Sequence, residues 1–364
     1  MTLKQIIKDT IMQKSSPIGF DEFMDMALYY PGLGYYSSGL PKFGEQGDFI
    51  TAPETSDLFG YTLARQCSDI MDGEKDILEF GAGSGVLAAQ ILFELARLDK
   101  LPKIYYILEL SAELKGRQKK SIKKVLPELI DKVVWIDTLP FDFSGVVIAN
   151  EVLDAIPAKR LVYKDSAFYE MGVGCDDDEL SWEVFDSEHM NDKAKLPSRA
   201  SNDYKTEVNY RSMAWIDSLY RSMKDGLVLL IDYGMDRAEY FHPQRDDGTL
   251  RCYHRHKAND NPFVNVGEQD ITTSVNFSDI AEQALESGFV VSGYATQAMF
   301  LISLGIEQYL SYESDESKRI NLAQQIKQLV LPSAMGESFK VLALTKDLPV
   351  ALKGFVEQDL TYKL

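Results

Sequence analysis

Cysteine and histidine are scarce in this chain of 364 residues. The three cysteines, Cys67, Cys175 and Cys252, lie far apart in the sequence, and their odd number forms no disulfide framework. His254 and His256 are the one close pair among four histidines, but no cysteine or carboxylate cluster accompanies them. No spacing typical of a zinc site occurs. The sequence therefore predicts neither a bound metal nor a disulfide.

Positively charged residues and long apolar runs are also few. Lysine and arginine number 38 against 56 acidic residues, which gives a formal net charge of −18. Such a surface repels phosphates, so it argues against a nucleic-acid partner and suits either simple solubility or a basic substrate. The longest apolar run, near residues 298–306, is too short to cross a bilayer. The N-terminus lacks a signal-peptide pattern, so we expect a cytoplasmic protein without a membrane span.

One segment, residues 76–88, combines an apolar stretch, a glycine cluster and an amphipathic run. The apolar stretch ends at Phe80, and Gly81, Gly83 and Gly85 follow before apolar residues recur at helical spacing. This pattern predicts a strand, a glycine turn and a helix. Glycine lets the backbone approach a ligand closely, and the following helix N-terminus offers free N–H groups. A nucleotide-like cofactor suits such a site.

The glycine spacing and three acidic residues indicate which nucleotide binds. Val86 stands where a dinucleotide-binding turn has its third glycine. Glu79 precedes the turn and would repel a pyrophosphate, whereas it suits a cation such as the amino group of S-adenosylmethionine. Glu109 ends the next apolar run, where a carboxylate can accept both ribose hydroxyls. Asp137, after a third run, either borders the adenine or starts a turn. We predict S-adenosylmethionine as cofactor, with a glycine turn of some other α/β protein as the alternative.

Strands and helices alternate from residue 77 onward, which predicts a mostly parallel sheet with helices on both faces. Ligands of such sheets bind at the carboxyl ends of the strands. Seven strands are predicted, at residues 77–80, 104–109, 133–136, 146–149, 226–232, 289–295 and 339–345.

The remaining segments are predicted to surround this sheet. Residues 1–75 form an N-terminal helical region whose long loop, ending near Glu54, is rich in glycine and proline. We interpret this loop as a lid over the active site, the alternative being a surface connection. Residues 76–364 form the main domain, in which the first insertion is predicted to be an antiparallel hairpin. The insertions lie at about residues 158–205, 235–275 and 299–332.

Five short motifs together resemble the MidA family of S-adenosylmethionine-dependent methyltransferases over nearly the whole chain. They lie at residues 47–54, 79–85, 150–157, 232–234 and 248–253. The resemblance implies an α/β fold with a class I methyltransferase-like Rossmann sheet. Mitochondrial members of the family assist assembly of respiratory complex I and methylate arginine in proteins. The resemblance therefore implies a protein arginine methyltransferase, and the lack of a mitochondrial presequence points to a bacterial member.

Three carboxylates are candidates for holding an arginine substrate. Methyl transfer from a sulfonium requires the nucleophile and the donor to be held in line. A guanidinium stays protonated in proteins, so carboxylates must grip its fork. We predict Glu151 as the main anchor, Asp154 as its helper and Glu54 as a further carboxylate. Turn formation after a strand is the alternative for Asp154, and less so for Glu151.

Further residues are assigned to the cofactor or to the substrate channel. Asp48 and Thr51 of the predicted lid are expected to contact the cofactor, and Asn150 to fix either its loop or the methyl donor. Four aromatic residues either line the channel or pack in the core: Tyr35, Tyr36, Tyr253 and His256.

Two other functions stay open at this point. One is methylation of a small molecule, against which the large insertions argue weakly. The other is an assembly factor that binds the cofactor without catalysis, against which the complete glycine motif with Glu109 and Glu151 argues. A nicotinamide oxidoreductase is a more distant alternative because of Val86. The oligomeric state, including a homodimer, is left open.

Overall fold

The computed structural model describes residues 1–38, 51–185, 195–197 and 201–364. Contacts between residues divide the chain into two compact units, each made of three segments. The first unit comprises Met1–Phe49, Leu153–Trp215 and Met235–Ile280. The second unit comprises Ile50–Val152, Ile216–Gly234 and Ala281–Leu364.

The helices and strands of the described residues are numbered in chain order. The α-helices are α1 (Leu3–Lys14), α2 (Phe20–Tyr29), α3 (Ala52–Thr55), α4 (Asp57–Ser68), α5 (Val86–Arg97), α6 (Ala112–Val125), α7 (Tyr210–Ser222), α8 (Arg237–Tyr240), α9 (Phe277–Ser287), α10 (Gln297–Ser303), α11 (Gln308–Tyr312) and α12 (Glu316–Val330). The strands are β1 (Ile18–Gly19), β2 (Asp76–Phe80), β3 (Tyr105–Leu108), β4 (Val133–Ile136), β5 (Phe143–Asn150), β6 (Lys159–Lys164), β7 (Ala167–Asp176), β8 (Glu179–Phe185), β9 (Lys205–Val208), β10 (Met223–Met235), β11 (Arg251–His254), β12 (Lys257–Asn259), β13 (Asp270–Thr272), β14 (Val275–Asn276), β15 (Val290–Thr296) and β16 (Phe339–Lys346). Short 3-10 helices lie at Pro127–Lys132, Lys353–Phe355 and Thr361–Lys363.

The second unit is built on a central sheet in which seven strands lie side by side in the order β15-β16-β10-β5-β2-β3-β4. The five strands from β10 to β4 are parallel, whereas β16 runs antiparallel to both of its neighbours. The predicted mostly parallel sheet is therefore confirmed. The chain order of the strands reverses at β2, which lies between β3 and β5, and ligands of open α/β sheets bind at such a point.

The core of the second unit explains why β2 is followed by a helix. Ile77 of β2 and Leu92 of α5 are fully buried and belong to the same hydrophobic cluster as Leu63 of α4. The apolar residues of α5 recur at helical spacing, so one face of the helix covers the sheet. The three glycines between β2 and α5 consequently lie at the carboxyl edge of the sheet.

The first unit contains antiparallel sheets and the N-terminal helices. Strands β1, β7, β6 and β9 follow one another in a sheet in which β8 also pairs with β7. Strands β12, β11 and β13 form a smaller sheet. Buried residues of α1 and α2, such as Ile7 and Phe23, share a hydrophobic cluster with Val173 of β7 and Ile271 of β13.

The structure differs from the sequence-based description in how segments are grouped. The predicted boundary at residue 75 falls inside the second unit, and the N-terminal helices share a hydrophobic cluster with the inserted strands. The predicted hairpin is part of a five-stranded sheet, and the insertion at 235–275 also forms strands. The insertion at 299–332 contains α11, α12 and most of α10.

No helix in the described part of the chain is both long and apolar enough to span a membrane.

Candidate active site

The glycine turn after β2 has a backbone that other residues adopt with difficulty. Gly81, Gly83 and Gly85 have φ values of 57°, 53° and 83°. These angles lie in the left-handed region, which glycine enters without the steric cost that a Cβ imposes. The N–H of Gly81 is bound to the carbonyl of Leu108 at 3.1 Å, which ties the start of the turn to the end of β3.

Glu79 is buried in β2 beneath this turn. Its carboxylate Oε2 accepts a hydrogen bond of 2.8 Å from the hydroxyl of Tyr105. Burial raises the pKa of Glu79 to about 8, and the negative charge of Glu109 adds to the rise, while the Tyr105 hydrogen bond opposes it. A cation placed beside Glu79 would favour the ionised form. The cation-binding role of Glu79 remains a prediction.

Glu109 follows β3, and donors of the protein hold its carboxylate in place. The Ser111 N–H binds Oε1 at 2.9 Å and the Gln118 side-chain amide binds Oε2 at 2.9 Å. Burial raises the pKa of Glu109, and these two hydrogen bonds oppose that rise. The Gln118 amide also donates to the carbonyl of Gly83, at 3.1 Å. The carboxylate and the glycine turn are therefore connected through one side chain.

The described end of the predicted lid packs beside the glycine turn. The Ser84 hydroxyl donates a hydrogen bond to the Glu54 carboxylate. Gln90 of α5 donates to the carbonyl of Pro53 at 2.8 Å and to the Asp57 carboxylate at 3.0 Å. Thr51 is the residue before α3. Asp48 and the rest of residues 47–50 lie outside the described residues.

Asn150 and Glu151 lie where β5 ends, and an unusual backbone conformation sets their geometry. Glu151 has a φ of 53°, and its N–H binds the carbonyl of Ile231 at 2.8 Å. The side-chain amide of Asn150 donates to Glu151 Oε1 at 3.2 Å. A left-handed conformation in a residue other than glycine persists only where surrounding contacts hold it, and such residues cluster at functional sites.

Asp232 of β10 secures the same loop from the neighbouring strand. Its carboxylate accepts the N–H of Val152 at 3.1 Å and the N–H of Tyr233 at 2.9 Å. The side chain is buried. Asp232 is the first residue of the motif at residues 232–234, but the sequence does not reveal this role for it. Only the pairing of β10 with β5 brings its side chain to Val152.

Asp137 directly follows β4, as predicted, and its carboxylate pairs with the Lys115 ammonium of α6. Its side chain is largely exposed. The proposed contact with adenine remains a prediction.

Asp154 belongs to the first unit, in which it is buried. Its carbonyl accepts the Thr273 N–H at 3.1 Å.

In the same unit Tyr36 donates to the Asp270 carboxylate at 3.0 Å and stacks on Tyr29. Burial and the charges of Asp270 and Asp154 raise the pKa of Tyr36 well above its usual value. Tyr35 is buried among apolar residues, so it packs in the core, which is the second of the two roles considered for it.

Gln118 and Trp135 are two residues of this edge that sequence analysis missed. Gln118 lies on the buried face of α6, between Leu114 and Ile122. A glutamine in an otherwise apolar stripe is the signal that could have revealed it, because a buried amide needs partners.

Within the described ranges, no group of histidine, cysteine and acidic residues is suited to hold a metal ion.

The glycine turn leaves room for a ligand beside its backbone. A Cβ placed on Gly81 would meet only Val152, at 3.8 Å, so a ligand can approach the backbone there. Oδ1 of Asn150 is buried and has no hydrogen-bond partner among the described residues. A buried acceptor of this kind is expected to have a partner in the working protein. The roles of Glu79 as acceptor for a cation and of Glu109 as acceptor for hydroxyl groups remain predictions.

The strand order, the glycine turn and the acidic strand ends define a class I methyltransferase fold. A family model of S-adenosyl-L-methionine-dependent methyltransferases matches residues 62–295. The chain belongs to this family, and its cofactor is S-adenosylmethionine. The predicted family resemblance, fold class and cofactor are confirmed.

Solved structures and curated relatives agree with this assignment. A Burkholderia thailandensis protein crystallised with S-adenosylhomocysteine is 37% identical, with a TM-score of 0.96 over 100% of this chain and 96% of that chain. The human mitochondrial protein arginine methyltransferase NDUFAF7 is 27% identical over 92% of this chain and 81% of its own. The corresponding Caenorhabditis elegans homologue is 28% identical over 98% of this chain and 88% of its own.

Proposed function

We propose that this protein methylates arginine side chains of a protein substrate and that Glu151 anchors the guanidinium. The observation that carries the proposal is the left-handed backbone of Glu151 at the end of β5. The carbonyl of Ile231 accepts the N–H of Glu151, and the carboxylate of Asp232 accepts the N–H of the next residue, Val152. A strained acidic residue at the cofactor edge is typical of a functional role rather than of an ordinary turn. The names of the mitochondrial relatives support the substrate class.

The cofactor supplies an electrophilic methyl group. The residues proposed to hold it are Glu79, Gly81, Gly83, Gly85, Glu109, Asp137, Asn150, Asp48 and Thr51. On the substrate side, Glu151 would bind the guanidinium through charge-assisted hydrogen bonds, which orient one nitrogen for in-line attack. Asp154 and Glu54 are proposed as further carboxylates. The guanidinium nitrogen would gain the methyl group, the electron pair of the broken carbon–sulfur bond would stay on sulfur, and the proton would pass from the nitrogen to solvent.

The substitution Glu151→Gln tests this role, because it removes the charge and keeps the size of the side chain. A hydrogen bond to a charged group contributes about 1.5–3 kcal/mol. We therefore expect methyl transfer to fall about tenfold to a hundredfold, with unchanged affinity for S-adenosylhomocysteine. Transfer is measured with labelled S-adenosylmethionine and a lysate of the source organism, followed by hydrolysis and detection of methylarginine. Glu74→Gln, at an exposed carboxylate of the same unit, is the matched control.

Each result of this experiment has a distinct meaning. Methylarginine with wild-type protein, lost in Glu151→Gln and kept in Glu74→Gln, supports the proposal. Normal transfer by a folded Glu151→Gln protein contradicts the anchor role and directs attention to Glu54 and Asp154. Label in small molecules alone identifies a small-molecule methyltransferase. Cofactor binding without any labelled product identifies an assembly factor that lacks catalysis.

A further inference from the structure

Gln118 is a fully buried side chain on α6 that makes three hydrogen bonds to three different segments. Its amide nitrogen donates to the Gly83 carbonyl at 3.1 Å and to Glu109 Oε2 at 2.9 Å. Its oxygen Oε1 accepts the indole N–H of Trp135 at 2.9 Å. Gln118 therefore joins the glycine turn, the residue after β3, and β4.

The orientation of this amide is determined by its partners. An indole N–H can only donate, so the glutamine oxygen must face Trp135. A carbonyl and a carboxylate can only accept, so the NH₂ group must face Gly83 and Glu109. If the amide were flipped, its oxygen would face the two acceptors, Gly83 and Glu109, and its NH₂ group would face the indole N–H, which is also a donor. The hydrogen bonds thus fix one arrangement of the four groups.

The Glu109 carboxylate depends on this arrangement. The Ser111 N–H donates to one oxygen and Gln118 to the other, and the Leu110 backbone N–H also lowers the pKa of this carboxyl. A carboxylate has about four acceptor positions, so acceptor capacity remains for the ribose hydroxyls. Without Gln118 the carboxylate could rotate away from the hydroxyls.

We infer that Gln118 is a positioning residue that orients Glu109 and the glycine turn together for recognition of the cofactor ribose. The packing of α6 agrees with this role, since a Cβ on Gly85 would lie 3.0 Å from Gln118 Cα. Helix and turn are in close contact at this point. The inference rests on the ribose role of Glu109, and it is independent of the methyl acceptor.

The test compares two cofactor analogues by titration calorimetry. The probes are S-adenosylhomocysteine and its 2′,3′-dideoxyribose analogue, which lacks the hydroxyls that Glu109 would bind. Wild-type protein is expected to prefer S-adenosylhomocysteine. Gln118→Met keeps the volume of the side chain and removes its hydrogen bonds. We expect this substitution to weaken the binding of S-adenosylhomocysteine about tenfold to a hundredfold and the binding of the dideoxy analogue much less. The preference for S-adenosylhomocysteine should therefore be lost.

Gln297→Met is the matched control. Gln297 is equally buried in the same unit and donates to the carbonyl of Leu329, away from the glycine turn. This variant should keep the preference of the wild type. Trp135→Phe is a second variant, which keeps an aromatic ring but removes the N–H that orients the amide, together with part of the indole ring. It provides the test if Gln118→Met does not fold. It should reduce the preference in the same direction.

Two outcomes would overturn the inference. Equal weakening of both analogues in the folded variants would mean that Gln118 only stabilises the structure. A wild-type protein without preference for the ribose hydroxyls would remove the role of Glu109 on which the inference depends. Neither measurement involves an arginine substrate, so failure here is distinguishable from failure of the proposed arginine methylation.

Discussion

At the scale of single residues, the backbone of the glycine turn limits which side chains the cofactor edge tolerates. Gly83 has a φ of 53°, where a β-branched residue is a steric outlier. The left-handed conformation costs most residues about 1–2 kcal/mol, and any side chain also occupies space beside the ligand. The same reasoning applies wherever a glycine both turns the chain and faces the cofactor.

Gly83→Val should therefore lose affinity for S-adenosylhomocysteine by more than tenfold in a calorimetric titration. Gly73→Val is the matched control, because Gly73 also has a positive φ, of 92°, and no atom of a neighbouring segment within 4 Å of a Cβ placed there. The control variant has comparable backbone strain but should bind normally. Unchanged affinity in Gly83→Val would refute the assignment of the turn as the cofactor site.

Burial of Glu79 makes the free energy of unfolding depend on pH. Its pKa is about 8 in the folded protein against an ordinary value of 4.5. Between these values the folded state binds more protons than the unfolded state, so stability falls as pH rises through 8. The stabilising contribution is fully present below pH 4.5.

Glu79→Gln should remove this dependence, since glutamine does not ionise and its carbonyl can still accept from Tyr105. Urea unfolding of the cofactor-free protein at pH 6 and pH 9 provides the measurement. We expect the wild-type protein to lose more stability between these pH values than the variant does. Parallel losses would show that Glu79 titrates near its ordinary value.

At the scale of elements, the short helix α3 is held against the cofactor edge by side chains of several neighbours. Glu54 accepts from Ser84, Gln90 donates to the carbonyl of Pro53, and Ser56 donates to Gln325 of α12 at 2.7 Å. Because Ser84 lies within the glycine turn, a ligand that orders the turn should also order α3. This coupling gives the predicted lid a physical basis at its described end.

Hydrogen exchange with and without S-adenosylhomocysteine tests the coupling. Amides of residues 51–56 should exchange more slowly when the ligand is bound. The exposed turn at residues 72–75, in the same unit, should exchange at the same rate in both states. Identical exchange of residues 51–56 in the two states would contradict the lid interpretation.

The elements of the central sheet show how far local patterns reach. The strand predicted at 146–149 extends over Phe143–Asn150, and the strand predicted at 226–232 over Met223–Met235. Apolar runs locate the buried centre of a strand, whereas its ends depend on pairing with neighbours.

At the scale of the whole molecule, the grouping of segments into two units could not be read from the sequence. The sequence predicts one division of the chain, at residue 75, just before the segment that contains the glycine turn. The structure instead joins residues of α1 and α2 with inserted strands in one hydrophobic cluster. Contacts between residues more than a hundred positions apart leave no local signal in composition or periodicity.

The sequence by itself predicted the family through its resemblance in five short motifs. It predicted the fold class and the cofactor through glycine spacing, strand–helix alternation and acidic strand ends, because these are local patterns. It also located Glu79 and Glu109, each of which stands at a fixed offset from an apolar run. Only the tertiary structure decided which groups hold them. Gln118 reaches Glu109 from α6, and Asp232 reaches Val152 from β10, because strand pairing and helix packing bring together residues that are distant in the chain.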